Sequence, residues 1–279
     1  MKHRNFIFPQ WQGNTEKSPL YGAREFERLY LSGEPICMAP VSEFDDLPLE
    51  RGISGRADIV RQLKAAFGLP EQNQPETMFS VGGGCDAGLV PAAYLNQKYQ
   101  GDLCLVWFDA HGDLNTPQTS PSGMFCGMPL RTLLGEGDPE IVDMLPRVFE
   151  PHQVVMAGLR ITDRVEADFI EEKQIAVVGV EQLNRGLSAL LDAVQNTGCR
   201  NLCIHIDLDV LDPGEFPNTP FPHPGGIRPE VLMSQVRALN DKFAIKGLGI
   251  YEYAVSGGEK LSWLEELVEI GTRLSEGKS

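Results

Sequence analysis

The sequence predicts an α/β fold in which a mainly parallel sheet is covered by helices on both faces. Seven short apolar runs recur along the 279 residues, with helical-looking stretches between them. The runs are continuous and do not alternate with polar residues, which is typical of strands that are buried on both faces. Strands that alternate with amphipathic helices indicate a doubly wound sheet.

The predicted strands are the apolar runs at 35–41, 77–83, 103–109, 153–159, 175–180, 201–209 and 244–253. Amphipathic spacing predicts helices at 55–68, 164–173, 185–198 and 228–241, with a closing helix at 262–277. Pro and Gly cluster in two long loops, at 115–129 and 211–226. Irregular loops that follow strands often form ligand sites in such sheets, so both are predicted walls of an active site.

Length and charge limit the classes of partner. We expect a single domain over residues 1–279, because this length can bury one large core. The formal net charge of −15 argues against nucleic acid or an anionic membrane surface as partner. No apolar run approaches the roughly 20 residues of a membrane helix. The N-terminal run at 6–8 is stopped by Pro9 and is too short for a secretory signal.

The cysteines fit a reducing compartment. The chain has six of them, in neither a disulfide framework nor a C-x-x-C zinc pattern. Together with the lack of a secretory signal, this predicts a cytoplasmic protein.

The end of the run at 103–109 carries a pattern that favours metal binding. In the segment VWFDAHGDLN, Asp109, His111 and Asp113 occupy alternate positions where the apolar run stops. If the backbone stays extended, the three side chains point to one side. Carboxylate and imidazole ligands together suit Mn²⁺, Zn²⁺ or Fe²⁺. Taken alone, the pattern is also compatible with acids that cap the next helix.

A second strand end strengthens the metal hypothesis. The segment CIHIDLDVLDP brings Asp207 and Asp209 to one face, and burying both without a cation would be costly. Four Asp and one His are more ligands than one ion requires, so two metals with bridging carboxylates are predicted. His205 points to the same side but lies deeper, and it is predicted to be a packed core residue and not a ligand.

Five segments together resemble the ureohydrolase superfamily, which comprises arginases, agmatinases, guanidino-acid hydrolases and formiminoglutamases. They are GGGCD at 82–86, DAHGD at 109–113, SPSG…GMP at 120–129, HIDLD at 205–209 and YEY at 251–253. The resemblance spans residues 78–255. It implies a single three-layer α/β/α domain with a mainly parallel sheet, two manganese ions at the strand ends, and a homo-oligomer in many members.

The resemblance also implies the metal ligands. One ion would take Cys85, Asp109, Asp113 and Asp207, and the other would take His111, Asp109, Asp207 and Asp209. Cys85 stands where the family has a His, and Asp86 after it supports the turn. A thiolate is a negatively charged, soft ligand, so it makes binding of Zn²⁺ or Fe²⁺ more favourable relative to Mn²⁺. The alternative is that Cys85 is an unliganded thiol beside a damaged site.

The loop at 115–129 departs from the arginase pattern at two positions. Cys126 replaces a His that is thought to shuttle protons, and Met124 replaces an Asn that follows the substrate-binding Ser. Glu252 matches the glutamate that pairs with the guanidinium group. The residues that match the wall holding the amino-acid end of arginine are Asn115, Ser122, Asp163 and Glu166. Each of these four is also compatible with ordinary loop and helix-cap polarity.

The resemblance implies an enzyme that hydrolyses linear amidines. The two metals would hold a hydroxide that attacks the guanidino carbon; Asp113 would pass a proton to the leaving amine and Glu252 would orient the substrate. The Cys-for-His exchange resembles a branch that hydrolyses N-hydroxy-L-arginine to L-ornithine and hydroxyurea, and this small-molecule guanidino substrate is the predicted one. The alternatives are an arginase or another guanidino- or formimino-acid hydrolase, and a non-catalytic binding protein of arginase fold.

Overall fold

A parallel sheet runs through the part of the chain that the computed structural model describes, residues 2–274. Numbered in chain order, its strands and those of a small hairpin are β1 (His3–Phe8), β2 (Ile36–Met38), β3 (Leu49–Glu50), β4 (Ile53–Ser54), β5 (Thr77–Gly82), β6 (Leu103–Phe108), β7 (Val154–Ala157), β8 (Ala176–Val178), β9 (Asn201–Asp207) and β10 (Ala244–Tyr251). The sheet order is β2-β1-β5-β10-β9-β6-β7-β8, and each of these pairings is parallel. Strands β3 and β4 form the antiparallel hairpin.

The helices are α1 (Ser18–Tyr30), α2 (Arg56–Asn73), α3 (Leu89–Lys98), α4 (Pro129–Leu133), α5 (Pro139–Val142), α6 (Arg164–Lys173), α7 (Val180–Arg185), α8 (Ser188–Asn196), α9 (Pro229–Lys242) and α10 (Ser262–Thr272). Short 3-10 turns lie at Gln12–Asn14, Cys85–Gly88, Phe125–Gly127, Pro151–Gln153 and Leu208–Val210. No helix in residues 2–274 is both long and apolar enough to cross a membrane.

The sheet separates two apolar cores because successive strand residues point to opposite faces. On β6, Leu105 and Trp107 belong to one core, in which α2, α3, α4 and α6 pack. Val106 and Phe108 belong to the other, with α1, α8, α9 and α10. All six residues of β6 are buried, as the continuous apolar run requires. The result is three layers, with the sheet in the middle.

The predicted fold class is confirmed, and the seven predicted strands correspond to β2 and β5–β10. Strand β1, whose first three residues are polar, and the two-residue strands of the hairpin were not predicted. Helix α3 was not predicted either, because most of it is buried and no polar face marks it. The other helices that were not predicted are α1, α4, α5 and α7. The end of the predicted closing helix, 275–277, lies outside the described residues, as does Met1.

The strand order brings distant segments of the chain together. Strands β5, β10, β9 and β6 are consecutive in the sheet, although β9 and β10 come last in sequence. Since the four strands are parallel, their carboxyl ends meet at one edge. Ligand sites in open parallel sheets lie beyond the carboxyl ends of the strands. Here the predicted metal ligands lie at the ends of β5, β6 and β9, and the predicted substrate-pairing Glu252 follows β10.

Candidate metal centre and substrate cavity

Three of four neighbouring strands bring the predicted metal ligands to one place, and the fourth, β10, brings Glu252. Cys85 follows β5, Glu252 follows β10, and Asp207 ends β9. The segment after β6 adds Asp109, His111 and Asp113, and a 3-10 turn after β9 adds Asp209. The carboxylates and the thiol are buried, whereas the His111 side chain is about one third exposed. The structure therefore brings all six predicted ligand residues and Glu252 together.

The segment after β6 does not stay extended throughout. Asp113 has a φ of +54°, in the left-handed region that a non-glycine residue rarely adopts. The carboxylate of Asp113 still faces the same cavity as His111. Asp109 is held by two donors, the backbone N of His111 at 2.6 Å and Nε1 of Trp107 at 3.0 Å. Asp113 thus faces the same side as His111, as expected, but it does so through a turn and not through an extended backbone.

The segments after β9 and β6 are tied to each other. Asp209 Oδ1 accepts a hydrogen bond from the backbone N of Ala110 at 3.0 Å, and Asp209 Oδ2 lies 2.8 Å from Nδ1 of His111. Asp207 Oδ1 accepts from the backbone N of Asp209 at 2.7 Å. These contacts fix the two strand ends relative to each other, as a preorganised ligand set requires.

Cys85 lies among the carboxylates. Its Sγ is 3.0 Å from Oδ2 of Asp207 and 3.8 Å from Oδ2 of Asp109, and the residue is 1% exposed. Burial and the neighbouring acids raise the pKa of this thiol well above its usual range. Without a cation, therefore, the sulfur carries its proton, and a metal ion is what would favour the thiolate.

The buried acids of the cluster would be stabilised by a nearby positive charge. Burial raises the pKa values of Asp109, Asp113 and Asp207, because ionised carboxylates are costly away from water. Burial alone would lower the pKa of His111, but its bonds to Asp109 and Asp209 raise it to about 10. Oδ2 of Asp113 is buried and has no hydrogen-bond partner among the described residues. Carboxylate, imidazole and thiol groups that converge in this way fit divalent metal ions.

Glu252 faces the same cluster from β10. Its φ is +58°, its Oε1 accepts from the backbone N of Cys85 at 2.9 Å, and its Oε2 accepts from Nδ2 of Asn14 at 2.6 Å. Burial raises the pKa of this carboxyl well above its usual range. Asn14 was missed by the sequence analysis because no local pattern marks it, and it lies 238 residues from its partner.

Asp86 turns away from the metal ligands. Its Oδ2 accepts a hydrogen bond from Nε2 of Gln10, and burial raises its pKa to about 7. A Cβ at Gly13 or at Gly84 would fall 2.6 Å or 2.5 Å from its Oδ1. Asp86 is thus packed against the glycine-rich turn, in keeping with the predicted supporting role.

The predicted substrate wall lies around the amino end of α6. Asp163 and Glu166 form a capping box, in which each side chain accepts from the backbone N of the other at 2.9 Å and 3.0 Å. Oε1 of Glu166 also accepts from the backbone N of Leu114 at 3.1 Å. Nδ2 of Asn115 donates to Oδ2 of Asp163 at 2.9 Å. These residues therefore take part in capping α6 and also lie in the predicted substrate wall.

A cavity of about 310 Å³ joins the metal cluster to this wall. It is lined by Asp113 and Glu252 at its base and by Asn115, the exposed Ser122 and Asp163 toward its mouth. The volume is within the range of small-molecule sites. Cavity residues that the sequence analysis did not select are Ile161, on the loop after β7, and Phe221, in the loop 211–226. Cys126 and Met124, the two departures from the arginase pattern, also line it.

Solved structures similar to this chain include arginases and an amidino hydrolase. Entamoeba histolytica arginase, in complex with L-ornithine, has a TM-score of 0.85 at 22% identity and covers 97% of each chain. Bacillus cereus arginase has a TM-score of 0.81 at 22% identity over the full length of both chains. Proclavaminate amidino hydrolase from Streptomyces clavuligerus has a TM-score of 0.71 at 19% identity, covering 98% of this chain and 90% of its own. At these identities, the comparisons establish the fold.

Sequence comparisons agree with the structural ones. Arginase from Staphylococcus aureus strain COL is 33% identical over 160 residues, which are 56% of this chain and 53% of that protein. Arginase from Bacillus subtilis strain 168 is 36% identical over 136 residues, 47% of this chain and 46% of its own length. The chain thus spans about half the length of the curated relatives that it matches. The family model described as "Arginase family" matches residues 29–258, and the chain therefore belongs to the arginase family, within the predicted superfamily.

Proposed function

We propose that this chain is a dinuclear-metal amidinohydrolase that cleaves a guanidino C–N bond of an arginine-like molecule. The proposed substrate is N-hydroxy-L-arginine, and the products are L-ornithine and hydroxyurea. The observation that carries the proposal is one cavity that is lined by Glu252 and by five of the six metal-ligand candidates, with the buried Asp109 beside them and polar groups toward the mouth. The arginases among its relatives support the same class of reaction.

The residues at the strand ends fit two divalent ions. In this proposal one ion is held by Cys85, Asp109, Asp113 and Asp207, and the other by His111, Asp109, Asp207 and Asp209. Both ions would share Asp109 and Asp207, so that four carboxylates would face two dications. This would offset the repulsion between the buried acids and the cost of burying their charges. Mn²⁺ is the proposed ion, and Zn²⁺ or Fe²⁺ are the alternatives because of the sulfur ligand.

Bound in this way, the two metals would lower the pKa of a water molecule and so supply hydroxide at neutral pH. Asp113 has the free oxygen needed to hold and move a proton, since its buried Oδ2 is unpartnered among the described residues. It would pass that proton to the leaving amine. Glu252, fixed by Asn14 and by the backbone of Cys85, would pair with the guanidino group and orient it.

The mouth of the cavity supports an α-amino acid over a simple amine. Asn115, Ser122 and Asp163 offer donors and acceptors for an ammonium and a carboxylate group, and Glu166 adds a second acid. Agmatine lacks the carboxylate, so this wall would contribute less to binding it. The same groups would serve for arginine and for N-hydroxy-L-arginine, so the wall alone does not discriminate between them.

Cys85 and Cys126 favour the N-hydroxylated substrate. A sulfur ligand makes the metal a weaker Lewis acid, and Cys126 stands where arginases have a His that is thought to shuttle protons. An N-hydroxyguanidine is less basic than a guanidine and depends less on an added proton. Arginine is the second candidate, because the curated relatives that match the chain are arginases.

The test is to identify the products formed from a mixture of guanidines. Mn²⁺-loaded protein would be given N-hydroxy-L-arginine, arginine, agmatine, guanidinobutyrate and formiminoglutamate, and the products would be identified by mass spectrometry. We expect ornithine and hydroxyurea. Urea would correct the substrate and keep the reaction class. If nothing is consumed with Mn²⁺, Zn²⁺ or Fe²⁺, the proposal is wrong and the non-catalytic binding protein is favoured.

Two substitutions separate specific chemistry from a contaminating hydrolase. Glu252→Gln keeps the shape but removes the charge that pairs with the substrate, and a loss of at least about 100-fold in kcat/KM is expected. Asp168→Asn is the matched control, because this acid on α6 is largely exposed and lies outside the cavity lining. Its activity should equal that of the unmodified protein.

A further inference from the structure

Three flat side chains are stacked beneath the metal centre. Trp107, His205 and Tyr251 come from the neighbouring strands β6, β9 and β10. The imidazole centroid is 3.4 Å from a Trp107 ring centroid and 4.1 Å from that of Tyr251, with interplanar angles of 5° and 10°. The two larger rings therefore fix the plane of the imidazole.

The edge of the same imidazole is directed at the sulfur of Cys85. Nε2 of His205 lies 3.3 Å from Sγ, which is hydrogen-bond distance for a sulfur acceptor. The other ring nitrogen, Nδ1, is buried and has no hydrogen-bond partner among the described residues. His205 is 3% exposed. Among the described residues, the hydrogen-bond partner of the His205 ring is thus Sγ of Cys85, through Nε2.

Gly88 provides the space for this arrangement. A Cβ at position 88 would lie 2.6 Å from Nδ1 of His205 and 2.9 Å from its Cε1. Such contacts are too short, so any larger residue at this position would push the ring away from the sulfur. Gly88 ends the same 3-10 turn that begins with Cys85. One turn therefore carries both Cys85 and the glycine that leaves room for the His205 ring.

We propose that His205 is a positioning residue for Cys85, whose sulfur accepts a hydrogen bond from Nε2–H. The proposal rests on the proposed role of Cys85 as a metal ligand. Metal binding at Cys85 would release the thiol proton to solvent. The hydrogen bond from His205 would then direct the thiolate toward the metal and offset part of its charge beside Asp109 and Asp207. Cys85 and His205 thus act as a pair at the position where the family has one imidazole.

The experiment measures Co²⁺ binding, because a thiolate ligand to Co²⁺ gives a charge-transfer absorption in the near ultraviolet. The dissociation constant is determined by competition with a chelator, and folding is checked by circular dichroism. His205→Phe keeps a flat ring in the stack but removes the donor. We expect the charge-transfer band to shift and Co²⁺ affinity to fall by about 10- to 100-fold. If this variant does not fold, His205→Leu, which also lacks a donor, is used in its place.

A double-mutant cycle distinguishes positioning from packing. In Cys85→Ala protein there is no sulfur to accept the bond, so adding His205→Phe should change Co²⁺ affinity by no more than about twofold. An equal loss in both backgrounds would overturn the proposal, since the ring would then act through packing alone. Tyr251→Phe is the matched control. It keeps the stack, loses only the hydroxyl that contacts Ser80, and should bind Co²⁺ normally.

The two proposals fail in different ways. If the unmodified Co²⁺ protein has no charge-transfer band, Cys85 is not a ligand, and both its proposed role and that of His205 are wrong. If the band is present and neither the band nor the affinity changes in His205→Phe, only the role of His205 is overturned.

Discussion

Removing the amide of Asn14 should lower catalysis without changing metal binding. Nδ2 of Asn14 donates to Oε2 of Glu252 at 2.6 Å, and both residues are buried. A hydrogen bond to a charged group contributes about 1.5–3 kcal/mol. If Asn14→Ala loses all of that at the transition state, kcat/KM falls by about 10- to 150-fold. Glu252 would keep its other bond, to the backbone of Cys85 at 2.9 Å, so catalysis should not be abolished.

The assay measures kcat/KM on whichever guanidine is consumed, alongside metal content and the free energy of unfolding. Asn201→Ala is the matched control: its Nδ2 also holds a partner on a distant segment, the carbonyl of Asp102, but at the opposite end of the sheet. We expect this control to keep its kcat/KM. The reasoning is refuted if folded, metal-loaded Asn14→Ala has a kcat/KM within twofold of the unmodified protein.

Three further predictions concern metal choice, pH and packing. Cys85→His should still bind two ions and should shift the preference toward Mn²⁺, measured by competition with Zn²⁺; an unchanged preference would remove Cys85 from the ligand set. Burial would raise the pKa of Asp138, but the ion pair with Arg56 lowers it. The ion pair therefore stabilises the fold above about pH 4, and this stabilisation is lost as the pH falls. Arg56 keeps its second ion pair, with Glu140, so Asp138→Asn should cost about 1.5–3 kcal/mol at pH 7 and much less at pH 2–3 in urea titrations. A pH-independent cost would contradict this. Gly88→Ala should destabilise by about 1–3 kcal/mol through its clash with the ring beneath. Gly68→Ala, whose nearest atom is 3.7 Å away in a helix, should instead be neutral or stabilising in the same titration.

The strand ends were predictable because their signals are local. Asp109 and His111 directly follow a continuous apolar run, and the carboxyl ends of parallel strands meet at one edge. What the pattern could not supply was the backbone at Asp113, whose left-handed φ departs from the extended conformation that the alternation assumed. The resemblance to a family was needed to assign Cys85 and Glu252, since neither belongs to a local pattern of ligands.

Contacts set by the order of strands in the sheet were beyond the sequence analysis. His205 was correctly predicted to be packed in the core, but its neighbours Trp107 and Tyr251 come from strands that are not consecutive in the chain. The same holds for Asn14 and Glu252, which meet because β1 and β10 flank β5. Such partners depend on which strands become neighbours, and periodicity along one segment carries no information about that.

The count of metal ions per chain tests the central claim most directly. Protein that has been stripped with a chelator would be dialysed against Mn²⁺, and the bound metal measured by inductively coupled plasma mass spectrometry. We predict two ions per chain in the unmodified protein and none in folded Asp207→Ala, because Asp207 is proposed to hold both ions and its Oδ2 lies 3.0 Å from Sγ of Cys85. An unmodified chain without metal, or an Asp207→Ala protein that still binds two ions, would contradict the account.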